Sequence, residues 1–201
     1  MRFGVTHCAG LLVRQCSPGT CTGSRSGFQH RWFLQISSSF GHVTTAIAYF
    51  MRELERVWDE HREASLVRDL NASLAHLAAE PSVRHIPAMT GAAGRQALMG
   101  FYAEEFLPCV PGDLVLTRIS RTVDRFRLVD ETTVSFTHDR ELPWLLPGLG
   151  ATCRRAEVLS IAVVGFERGW ICSQRVLWDH ATLIAQLGVP SLVAPGSPRA
   201  R

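Results

Sequence analysis

"RRAEVLSIAVVGFERGWICSQRVLWDHATLIAQLG", residues 154–188, decides the fold. Two long runs rich in apolar and β-branched residues flank "ERG", a tight-hairpin signal. The second run ends at Trp178-Asp179-His180, and a helix-like stretch follows at once. An antiparallel pair closed by a short helix is the local reading.

Working backwards, two further strand-like runs precede this pair: "DLVLTRISRTVD" (113–124) and "FRLVDETTVSFTHD" (126–139). The Pro- and Gly-rich loop "RELPWLLPGLGATC" (140–153) separates the second from the third. Ahead of Pro111-Gly112 the period is helical. "RELERVWDEHREASLV" sets Leu54, Val57, Trp58 and His61 on one face. "RDLNASLAHLAAEP" reads as a second helix, with Asp69 as N-cap, Leu70, Leu74 and Leu77 as its stripe and Pro81 as its end. "SVRHIP" is a short strand. "GRQALMGFYAEEFLPCVP" is a third helix with Leu98, Phe101, Tyr102 and Phe106 on its apolar side.

Helices and strands are thus segregated, which is an α+β class. Residues 52–189 form the expected domain: N-terminal helices packed in a strongly curved antiparallel sheet, with a short C-terminal helix. The space between helices and sheet is a natural ligand pocket.

Residues 1–51 are different. They contain no Asp or Glu, and five of the 21 Arg lie in 1–52. From Glu53 onward 16 Arg face 18 acids, a net of −2. The basic balance therefore belongs to the N-terminal segment, and a near-neutral body argues against nucleic acid as a partner. We expect 1–51 to be a disordered or targeting-like extension and 190–201 a flexible tail. Cytoplasmic residence is expected, with organellar import through the acid-free, Arg- and Ser-rich segment as the alternative. No apolar run is long enough for a membrane span. There is no Lys, so a lysine Schiff-base mechanism is excluded. The six Cys have neither C-x-x-C nor zinc spacing, and no phosphate-binding or nucleophile-elbow motif occurs. We expect neither cofactor nor metal.

The element order, and above all "WDHATLIAQLG" (178–188), resembles the SnoaL-like branch of the nuclear transport factor two-like superfamily. "RHIPAMTGAAGRQALMGFYAEEF" (84–106), "SRTVD" (120–124), "LVDETTVSFTHD" (128–139) and "PWLLPG" (143–148) carry the rest. The chain departs from the pattern at Gln174-Arg175, where relatives tend to have Glu-His, at His180, where they have Gln, and in the tail "VPSLVAPGSPRAR".

The resemblance implies an acid/base role for Asp179, which exchanges a proton with a carbonyl ligand. Such a role needs a carboxyl in an apolar pocket, where burial raises its pKa. Capping the helix after it is the competing reading, and would hold the pKa low. His85, on one strand face with Val83, and His138, on one face with Val134 and Phe136, are the candidate assistants. Each is otherwise a core histidine. Tyr102, Trp58, Trp144, Trp178, Phe136 and Asp130 are expected to line the pocket, with Trp144 as a lid or as an exposed partner contact. Arg121 and Arg175 are expected to be solvated charges on the sheet, with pairing to acids or the holding of an anionic ligand as the alternative.

Two functions follow. One is a cofactor-independent cyclase, isomerase or dehydratase acting on a small apolar carbonyl compound of polyketide-like type. The other is a small-molecule-binding or dimerisation module. A homodimer fits both, because such sheets commonly pair face to face.

Overall fold

The computed structural model describes residues 29–189, with side chains described from residue 45. The chain divides into two units, Met1–Gly41 and His42–Arg201. Of the first, only residues 29–41 are described, as part of a helix. The second holds the sheet and the helices packed on it.

Helix α1 spans Gln29–Leu66, so helix is already present well upstream of residue 52. Its inner face is Leu54, Val57, Trp58, His61 and Ala64, all buried. That is the three-and-four spacing of one helical stripe. Helix α2 (Leu70–Ala75) is capped by Asp69, whose carboxylate accepts the Ala72 N–H at 3.0 Å. The helix ends at Ala75, not at Pro81. Strand β1 (Leu77–Ile86) takes the residues beyond. Leu77 pairs with Ile171, and the ladder outweighs the helical preference of "LAAE".

β1 turns back into β2 (Thr90–Ala93), a strand hidden in what reads as a Gly-rich turn. Gly91 is required there. Its φ is +123°, and a Cβ would run into the Val83 carbonyl. Helix α3 (Arg95–Gly100) continues as a π-helical turn, Phe101–Phe106, and a short 3₁₀ turn, Leu107–Cys109. The wider turn brings both Phe101 and Tyr102 against Phe106, with ring centroids 6.1 Å and 5.3 Å apart.

The meander is β3 (Val115–Val123), β4 (Arg127–Thr137), β5 (Arg155–Glu167) and β6 (Trp170–Trp178). Arg168 and Gly169 both have positive φ, as the tight hairpin at "ERG" demands. Helix α4 (His180–Leu187) closes the described chain, and left-handed Gly188 ends it.

The sheet order is β2-β1-β6-β5-β4-β3. The meander is antiparallel as expected, but β1 runs parallel to β6. The sheet is therefore mixed, curved and unclosed. The parallel pair could not be read from hairpin signals, because it joins strands that are remote in sequence. Alternation along β4 and β5 buries Leu128, Asp130, Thr132, Val134 and Phe136 with Val158, Ser160, Ala162 and Val164. A polar stripe, Asp130, Thr132 and Ser160, is thereby carried inside an apolar wall.

Candidate functional site

Between α1, the π-helical turn and the inner sheet face lies a cavity of about 110 Å³. Trp58, His85, Tyr102, Asp130, Trp144 and Trp178 line it, so six of the nine singled-out residues come together. Asp179, His138 and Phe136 do not.

Asp179 is the main correction. Its carboxylate is exposed and accepts the Thr182 N–H at 3.1 Å, capping α4. Those hydrogen bonds from Thr182 hold it below the usual carboxylate range. It lacks the burial that would raise its pKa, and it is absent from the cavity wall. Strand β6 ends at Trp178, and the chain turns outward into the helix one residue later. His180 begins that helix and is likewise outside the cavity.

His138 lies just past the end of β4. Its Nδ1 accepts the Thr152 N–H at 3.2 Å, which ties down the loop at 140–153. Nδ1 is an acceptor, so the neutral ring carries its proton on Nε2, which is buried without a partner. Phe136 is fully buried in the core. Trp144 is not an exposed contact: it is 2% exposed in the cavity wall, and its carbonyl accepts the Thr90 hydroxyl at 2.5 Å. Its indole Nε1 is buried and unpartnered.

The first polar cluster centres on Asp130, which is 1% exposed. Trp58 Nε1 donates to it at 2.8 Å. Arg121 donates Nε and Nη2 at 3.0 and 2.9 Å, and Arg62 also donates. Burial pushes the Asp130 carboxyl up, but hydrogen bonds from Arg121 and Trp58 and the charge of Arg62 outweigh it, and the pKa falls below its usual value. Arg121 also pairs with Asp59 through two bonds at 3.0 and 2.7 Å. Two Arg thus balance two Asp, and the cluster carries no net charge.

The inward course of Arg121 corrects the solvated-charge expectation. Leu116 faces inward opposite Val134, so simple alternation would carry Arg118 and Ser120 inward as well. A register shift between Arg118 and Ser120 changes the phase, and Arg121 pairs with Asp130 across the strands. Arg175, by contrast, is exposed as expected.

The second cluster centres on His61, 2% exposed. Its Nδ1 sits 2.8 Å from the Ser73 carbonyl, which can only accept, so Nδ1 carries the proton. Nε2 is then a lone pair. Gln174 Nε2 meets it at 2.8 Å and the Tyr102 hydroxyl at 3.2 Å, both as donors. Burial lowers the His61 pKa to about 4 and pushes the Tyr102 hydroxyl well up. Sequence reading named His61 only as a helix-face residue and Gln174 only as a departure on the last strand. The usable signal was the three-residue step from Trp58 to His61.

His85 forms the third element. Phe101, Phe106, Trp144 and Trp178 surround its ring at centroid distances of 5.2 to 6.4 Å. Trp178 Nε1, which can only donate, meets His85 Nδ1 at 3.3 Å. Neutral His85 therefore keeps its proton on Nε2. Burial lowers its pKa to about 4. The cavity wall holds two neutral histidines of opposite tautomer, one with a free N–H and one whose lone pair accepts from Gln174 and Tyr102. Among the described residues, no group of three or more His, Cys, Asp or Glu is placed to hold a metal ion. No helix among them is long and apolar enough to cross a membrane.

No family model and no curated protein sequence matches the chain. Solved structures do. A candidate SnoaL-like polyketide cyclase from Jannaschia sp. superposes with a TM-score of 0.59 at 11% identity, over 70% of this chain and 95% of that one. A nuclear transport factor two-like protein of unknown function from Burkholderia pseudomallei gives 0.53 at 20% identity, over 67% and 97%. A protein of ketosteroid isomerase-like fold from Catenulispora acidiphila, in complex with trimethylamine, gives 0.51 at 14%, over 67% and 93%. At these identities the likeness is one of fold: this chain has the nuclear transport factor two-like fold, as its SnoaL-like neighbours do.

Proposed function

We propose that this nuclear transport factor two-like chain binds a small, uncharged carbonyl compound in its cavity and moves a proton on it. The observation that carries the reading is the pair of fixed tautomers. His85 offers Nε2–H to a carbonyl oxygen in an aromatic surround, where a neutral donor polarises without adding charge. His61 and Tyr102 act as one unit. As the Tyr102 hydroxyl proton passes to His61 Nε2, the hydroxyl oxygen takes the proton from the carbon beside the carbonyl. His61 becomes an imidazolium, and the enolate oxygen rests on His85. Return of the proton at another carbon completes an isomerisation, and attack of the enolate on a second carbonyl would be the cyclase variant. Asp130 is held by two Arg and takes no proton. The charge-balanced cluster favours an uncharged ligand, and the cavity volume of about 110 Å³ suits one small ring. For scale, a buried apolar cavity of about 150 Å³ takes benzene.

The test is cyclohexanone in D₂O, with binding followed by ligand-observed NMR and exchange by loss of the α-proton signal. We expect binding, and exchange that falls at least tenfold in His61→Gln and in Tyr102→Phe while binding persists. Binding without exchange in the wild type favours a binding module, a reading that the locked Asp130 also supports. Absence of binding removes both readings.

The partner reading is a second copy of the chain. Val129, Leu159 and Leu177 are exposed on the outer sheet face. Register places Val129 beside Val163 and Ile161 beside Leu177, making one apolar patch with Glu131 and Arg175 on the same face. Sedimentation should give a dimer that Ile161→Arg dissociates. A wild-type monomer at tens of micromolar removes the reading.

A further inference from the structure

Beside the cavity lies a second, more open pocket of about 360 Å³, lined by Asp59, Arg62, Glu63, Leu66, Leu114, Val115 and Leu116. Arg62, Leu66, Leu114 and Leu116 line both. Ligand sites usually fall in a range of about 300–1,000 Å³, so the inner cavity alone is undersized and the two together are not. Arg62 is the one charged residue in the shared wall. Its guanidinium lies 5.8 Å from the Trp58 ring centroid and donates to Asp130.

We propose that the two pockets are one elongated ligand site and that Arg62 is the gate between its halves. The proposal rests on the reading above, which places the carbonyl end in the inner cavity. The outer half takes a flat apolar extension against Leu66, Leu114, Leu116 and Val115.

Arg62 suits this role because Asp130 does not depend on it. Without Arg62, Asp130 keeps both bonds from Arg121 and the one from Trp58, so no buried charge is stranded when the guanidinium leaves. Arg121 is different: it is bound at both ends, by Asp59 and Asp130, and is fixed. Arg62 is also the less enclosed of the two, since only 4% of the Arg121 side chain is exposed, and burial holds the Arg62 pKa below its ordinary value despite Asp130. Only 18% of its side chain is exposed where it stands. The outer pocket also holds Glu63, one residue along the helix. The ligand class is therefore a compound with a carbonyl on a small ring and an uncharged aromatic or alicyclic tail. A carboxylate tail is disfavoured by Glu63.

The experiment compares cyclohexanone with 4-phenylcyclohexanone on the intact chain and reads the ratio of their affinities. Val115→Trp narrows the outer pocket and does not touch the inner one. The long-to-short preference should fall about tenfold in Val115→Trp and rise about tenfold in Arg62→Ala. A near-UV spectrum like the wild type's confirms that Asp130 still holds the fold in Arg62→Ala. A preference that neither variant changes overturns the gate and the outer half, while cyclohexanone binding leaves the inner site standing. A rise in Arg62→Ala with no response to Val115→Trp also overturns it, because the tail then lies elsewhere. Failure of cyclohexanone itself to bind removes the inner-site reading, and this one with it.

Discussion

Asp130, within β4, and Asp179, just past the end of β6, are the same residue type, and they do opposite things. Asp130 points inward from the middle of β4, is 1% exposed and takes bonds from Trp58, Arg62 and Arg121. Asp179 stands one residue beyond β6, is exposed and takes the first-turn N–H of α4. Both are held below the ordinary carboxylate pKa, for different reasons: two Arg in one case, a helix N-terminus in the other. A carboxylate serves as a pocket acid when it is buried and also spared by cations. Neither aspartate meets both conditions, so the proton movement we propose is assigned to His61 and Tyr102.

The largest expected effect breaks the inner half of that comparison. Asp130→Ala leaves Arg62 and Arg121 without their shared buried acceptor, and should cost about 3–5 kcal/mol in urea unfolding. A cost near zero would mean that the cluster contributes little to folding.

Next in size is acid sensitivity. His61 and His85 have pKa values of about 4 when folded, below the ordinary histidine value of 6.5. The unfolded chain therefore binds more protons between those limits, and stability falls as pH drops from about 6.5 toward 4. For the pair this is on the order of a few kcal/mol. Stability measured at pH 7 and at pH 5 should differ less in a His85→Phe variant than in the wild type. An unchanged difference would show that His85 is not held neutral by its aromatic surround.

The smallest effect belongs to the outer aspartate. Asp179→Ala should slightly loosen α4, seen as faster amide exchange at Thr182 and Leu183, with cyclohexanone binding unaltered. Lost binding would return Asp179 to the site.

Particular residues show how far the sequence carries. The four strands of the meander, the "ERG" hairpin and the Asp69 cap are all local patterns, set by alternation, turn chemistry and first-turn donors, and all are legible. So are Trp58 and Tyr102 as inward residues, because helical spacing alone fixes them. Leu77 misled, since its strand pairing with Ile171 is a tertiary fact. Arg121 misled for a related reason: a one-residue irregularity in β3 reverses its face. The tautomer of His61 was beyond reach, because it depends on the carbonyl of Ser73, twelve residues away on another helix.

The most direct test of where the site lies is an NMR titration of the ¹⁵N-labelled chain with cyclohexanone. It follows the indole N–H signals of Trp144, Trp178 and Trp170 and the backbone N–H of Thr182. Trp144 and Trp178 line the cavity, while Trp170 is half exposed at the β5–β6 hairpin and serves as the control. Saturable shifts are expected for Trp144 and Trp178, and stationary signals for Trp170 and Thr182. Shifts at Thr182 with Trp144 unmoved would contradict the cavity as the site and place the ligand at the α4 junction.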